Sequence, residues 1–180
     1  MASDGDRGLF PKMPDLKDEV DPNVIACAQT QMNRSKERFP KESRVTSSQG
    51  YGASHWTHTA RIDTEQADGS TKSYFLKVSR EDNGKSMMLG EFESMRAIET
   101  YAPDFVPHPI AWGTFQEDPS MHFFLSDLRE MDQEVPDMER LCSKLAEMHK
   151  NSHAAGIKQF GFHTTTHNGS LPQDNAWSDS

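Results

Sequence analysis

Two cysteines in 180 residues, Cys27 and Cys142, are too few and too far apart for a disulfide framework or a thiolate metal site. A reducing compartment, the cytoplasm, is the expectation. No apolar run approaches the roughly 20 residues that span a bilayer. The first 22 residues, MASDGDRGLFPKMPDLKDEVDP, carry acids and prolines and no apolar core, so they do not read as a signal peptide. No membrane partner is expected. Excess positive charge is also missing. The formal net charge is −9, which argues against the basic footprint that nucleic-acid binding requires. Hydrophobic residues make up only 34% and mean hydropathy is −0.80, low for a compact globule of this size. Part of the chain is therefore expected to be unpacked, or to expose apolar surface on which it could self-associate.

Residues 1–20 read as disordered, and Asp21-Pro22 opens a short helix to about Met32. VTSSQGYGASHW reads as a Gly/Ser-rich turn leading into a strand, WTHTARIDT. Asp68-Gly69 marks a hairpin tip, and TKSYFLKVS is the returning strand. REDNGK reads as a loop and SMMLGEFESMRAIET as a helix ended by Pro103. VPHPIAWGTF and MHFFLSDL form a second hairpin around EDPS. After an acid-rich connector, MERLCSKLAEMHKNSHAAG is the last helix, closed by Gly156. The remaining residues show no period. The order β-β-α-β-β is that of an α+β layer.

Lys77 stands in the middle of the apolar strand YFLKV, where an unpartnered charge is costly. Stepping about 100° per residue from Met88 puts Met95, Phe92 and Glu91 within about 60° of it, and Glu93 about 140° away. The helix thus turns one carboxylate, Glu91, toward the sheet. Met87, Met88, Met95 and Phe92 form the expected core stripe. A structural ion pair, or a lysine whose stem alone is buried, is one reading of Lys77. The other is that a small-residue loop, a hairpin, a strand lysine and a helix glutamate follow one another as they do around ATP in protein kinases.

The chain resembles the fructosamine-3-kinase, or ketosamine 3-kinase, family. GASHWTHTARI (52–62), YFLKV (74–78), GEFESMRAI (90–98), VPHPIAWG (106–113), LAEMHKNS (145–152) and FGFHTTTHNGSLPQDNAW (160–177) carry the resemblance. It implies a protein-kinase-like N-lobe, an antiparallel sheet with one inserted helix, followed by a hinge and the first helix of a largely missing C-lobe. The implied division is a disordered N-terminus and short helix (1–44), N-lobe (45–126), hinge (127–135) and start of the C-lobe (136–180). The implied activity is ATP- and magnesium-dependent phosphorylation of the 3-hydroxyl of ketosamines on glycated proteins, a deglycation repair.

Carried onto this sequence, Gly50, Gly52 and Ser54 fall in the loop over the phosphates. Lys77 matches the phosphate-binding lysine and Glu91 its partner. The backbone of Ser126, Asp127 and Leu128 matches the adenine-binding hinge, with Phe124 and Leu125 as apolar walls. His163 and Trp177 match positions near the sugar entrance. The family's H-G-D and D-P-A strings, which supply the catalytic and magnesium-binding aspartates, do not occur in the 180 residues. The chain is therefore expected to be a catalytically incomplete kinase, or a non-catalytic nucleotide-binding or kinase-docking module. Many members carry a redox-active cysteine in the phosphate loop. Here Gly52-Ala53-Ser54 stands there, and that control is not expected. His149/His153 and His163/His167 have zinc-compatible spacing, but the family implies no metal at His149 or His163. Cys142, beside Leu141 and Leu145 on the apolar side of its helix, is expected to be inert.

Overall fold

The computed structural model describes residues 44–51, 56–115, 118–131 and 134–179. The expected helix Pro22–Met32 lies outside them, as do Cys27, Gly52 and Ser54. Five strands form one antiparallel sheet: β1 (Arg44–Gly50), β2 (His58–Glu65), β3 (Thr71–Arg80), β4 (Pro109–Thr114) and β5 (Met121–Asp127), in the order β1-β2-β3-β5-β4. Helix α1 (Glu81–Tyr101) is inserted between β3 and β4 and packs on β3, β4 and β5.

The sheet's two faces follow from alternation in β3. Tyr74, Leu76 and Val78 are buried with Phe123 and Leu125 of β5 in one apolar cluster. Ser73, Phe75 and Lys77 face the other way. On that side Phe124 of β5, directly across from Lys77, packs with Met88 and Phe92 of α1, flanked by Met87, Met95 and Trp112. The methionine stripe is core, as its spacing predicts. Burying each such large apolar side chain contributes about 1.5–3 kcal/mol.

The structure corrects four readings. VTSSQ is not a turn: Arg44–Gly50 is the edge strand β1, so the N-terminal hairpin is a three-stranded meander. Small polar residues serve on an edge because their hydroxyls bond across it, as Ser47 does to Asp63 Oδ2 at 2.7 Å and Thr46 to the Asp63 carbonyl at 3.2 Å. REDNGK is not a loop: the helix starts at Glu81, which takes a positive φ of 62° and turns the chain without a connector. Asn83 and Gly84, poor helix formers, hid this start, while Glu81 and Asp82 suit a helix N-terminus electrostatically.

The third correction concerns the tail. Residues 160–179 form an arm that folds back on itself. β6 (His167–Asn168) and β7 (Leu171–Pro172) make its tip, and Phe160 and Ser178 exchange backbone bonds of 2.8 and 2.7 Å at its base. The fourth concerns Cys142. Helix α2 (Met138–Ala154) has no buried residue, and Cys142, Leu141 and Leu145 are all exposed. The end of α1 meets a different side of α2, where Asn151 donates to the Tyr101 carbonyl at 2.8 Å.

Candidate functional site

The alternation that points Lys77 toward α1 sets up the site. Its Nζ lies 2.6 and 2.8 Å from the two carboxylate oxygens of Glu91. The two side chains are 22% and 25% exposed, so the pair is partly desolvated yet reachable. An ammonium has three N–H donors and Glu91 accepts from two, which leaves one for a ligand. Phe75, two residues earlier on the same face, has its ring 6.0 Å from Nζ, and Tyr51 meets that ring edge-on at 6.3 Å.

Lys77 and Glu91 line a cavity of about 330 Å³ with Trp56, Gly90, Thr166 and His167. The arm supplies part of the wall through Thr166, His167 and Gly169. Burial lowers the His167 pKa, so its imidazole is neutral at pH 7. The cavity thus offers one ammonium, one carboxylate holding it, and neutral hydrogen-bonding groups. That set can grip an anion locally without carrying net charge. Among the described residues, no group of three or more His, Cys, Asp or Glu side chains could hold a metal ion.

A second polar cluster lies further along the same face. Asp63 accepts from Ser73 at 2.6 Å, Ser47 at 2.7 Å and Arg61 at 2.7 Å. These bonds, Ser73's first, hold its carboxyl down at about 2. Arg61 also donates to Ser73 at 3.0 Å and reaches Glu130 at 3.5 Å. One carboxylate therefore ties β1, β2 and β3 together, and Arg61 links them to the segment after β5.

The other sequence-derived positions are placed as follows. Gly50 ends β1, across from Ala60, with open space on the side where a Cβ would stand. Gly52 and Ser54 lie outside the described residues. Ser126 is buried in β5 and Phe124 and Leu125 are buried beside it. The amides of Asp127 and Leu128 donate to the carbonyls of His108, at 3.0 Å, and Ser73, at 3.3 Å. Neither amide is available to a base without breaking a bond within the protein. His163 sits against Glu93 of α1 at 3.3 Å, and Trp177 lies beside Gly161 at the base of the arm. Neither lines the Lys77 cavity.

The residues that do line it from the arm, Thr166, His167 and Gly169, were not singled out as site residues by the sequence. Gly169-Ser170 between two short extended pairs is a two-residue hairpin signal that could have found them. Trp56 is 54% exposed and leans on this hairpin. A Cβ at Gly169 would come within 2.7 Å of its indole nitrogen.

The fructosamine kinase family model matches residues 29–180. No curated protein matches the chain. Among the similar solved structures are two named as fructosamine-3-kinases. The one from Haemophilus somnus 129PT is 16% identical, with a TM-score of 0.57 over 85% of this chain and 47% of that one. The one from Thermobifida fusca YX-ER1 is 22% identical, with a TM-score of 0.57 over 86% of this chain and 46% of that one. At these identities the likeness establishes the shared fold, and the chain spans about half the length of either structure. With five antiparallel strands, one inserted helix and a family match over most of its length, the chain belongs to the fructosamine kinase family.

Proposed function

We propose that these residues form the nucleotide-gripping part of a ketosamine 3-kinase, with residues 45–126 as N-lobe, 127–135 as hinge and 136–180 as the start of a C-lobe. The observation that carries the reading is the Lys77–Glu91 pair at 2.6 and 2.8 Å in the wall of a cavity. Lys77 contacts the α- and β-phosphates of ATP through the donor that Glu91 leaves, and Glu91 holds the ammonium there. The loop from Gly50 through Gly52 and Ser54 covers the phosphates. Phosphoryl transfer relies on positioning and on charge neutralisation, and Lys77 supplies part of each. The acceptor is the 3-hydroxyl of a ketosamine on a glycated protein, entering near His163 and Trp177. The cytoplasm is the setting.

The side chains present fit the phosphates and not the magnesium ion. No described carboxylate cluster could hold one, and no H-G-D or D-P-A string occurs in the sequence. We therefore propose that the 180 residues alone bind ATP without transferring phosphate. The test is ATP titration beside a transfer assay on fructosyl-lysine. ATP binding without turnover supports the reading, and turnover by this chain alone contradicts it.

One observation favours a second reading, a module that docks onto another protein or a second copy. Phe160 is 71% exposed and Leu171 69%, with Trp177 and the Leu141/Leu145 side of α2 also open. Sedimentation of the chain alone separates the two: a monomer that binds ATP fits the first, and concentration-dependent association without ATP binding fits the second.

A further inference from the structure

The arm touches α1 at three points along its length. Near the helix start, Asn83 Nδ2 donates to the Ser170 carbonyl at 3.1 Å. In the middle, the arm's backbone runs so close to Gly90 that a Cβ there would collide with the Thr165 carbonyl oxygen. One turn later, His163 meets Glu93. The residue after Gly90 is Glu91, and the far side of the arm's tip carries Trp56. The arm thus spans from the chain segment before β2 to the helix bearing the carboxylate that holds Lys77.

We propose that this arm is a brace that fixes the rotation and height of α1, and that Gly90 is its positioning residue, keeping Glu91 on Lys77. The inference rests on the nucleotide reading of the Lys77 cavity. It adds that the pair's geometry is set by residues 160–179 and not by α1 and the sheet alone. An Ala at Gly90 must push the arm outward or roll the helix, since the opposing atom is backbone and cannot rotate away. Met88 and Phe92 pack the helix's inner face on the sheet, and a roll of the helix carries Glu91, the residue next to Gly90, away from Lys77.

The experiment is a double-mutant cycle on the full 180-residue chain, with ATP affinity as the readout and a thermal melt as the folding control. Gly90→Ala is expected to weaken ATP binding about tenfold, as when roughly one molecule in ten keeps a competent site. In a Glu91→Gln background the same change is expected to cost less than about twofold, because the coupling runs through Glu91. Equal losses in both backgrounds, or no loss in either, overturn the brace, because a merely structural glycine would be additive. If Gly90→Ala does not fold, Asn83→Ala and His163→Ala, which remove arm contacts without adding atoms, decide by the same cycle. Lys77→Ala separates the two claims. Lost ATP binding there with normal binding by Gly90→Ala overturns the brace alone. Unchanged binding by Lys77→Ala, or no binding by the parent chain, overturns the nucleotide reading beneath it.

Discussion

The sheet with α1 and the region after it are built differently. Residues 44–127 enclose every fully buried side chain among the described residues, while from Asp127 onward none is buried. The first region is held by two apolar clusters on either face of the sheet. The second is held by polar and backbone contacts: Asn151 to Tyr101, Asn83 to Ser170, and the ladder within the arm itself. The lesson is that the Lys77 cavity is assembled from unequal halves. One wall belongs to a packed core, and the other is delivered by an arm with no core of its own.

Mutations can break or sharpen this contrast. The largest effect is expected from Phe123→Ala, which empties a fully buried site and should cost about 3–5 kcal/mol in denaturant unfolding. Asp63→Asn should cost about 1–2 kcal/mol, since it removes charge-assisted bonds that join three strands. It should also flatten the acid limb. The Asp63 pKa of about 2 lies below the free value of 3.8, so the folded state binds fewer protons. Its contribution is full above about pH 4 and is lost as pH falls toward 2 in the wild type. Leu145→Ala on exposed α2 should change stability by no more than about 0.5 kcal/mol. If Leu145→Ala cost as much as Phe123→Ala, the contrast would be wrong and α2 would belong to a core.

The sequence was most legible where side-chain period and burial agree. The alternation of Tyr74, Leu76 and Val78, the methionine stripe and the inward turn of Glu91 could all be read from spacing, because each is enforced by an apolar face. The edge strand β1 was not legible: Ser47, Ser48 and Gln49 make a strand through cross-strand hydroxyl bonds, and composition gives them the look of a turn. The start of α1 was hidden by Asn83 and Gly84, which serve packing and the arm more than helix propensity. The arm was the least legible. Its strands are two residues long and none of its side chains is buried, so it leaves no hydrophobic period to read. For that reason Thr166, His167 and Gly169 were missed, while His163 and Trp177, expected near the sugar entrance, lie outside the Lys77 cavity.

The most direct test of the central claim is ATP titration of the 180-residue chain beside its Lys77→Ala variant, with matched thermal melts. The account predicts that the parent binds ATP and that Lys77→Ala binds at least about tenfold more weakly, the loss of one charge-assisted contact, while remaining folded. Equal affinity in the two folded proteins would contradict it.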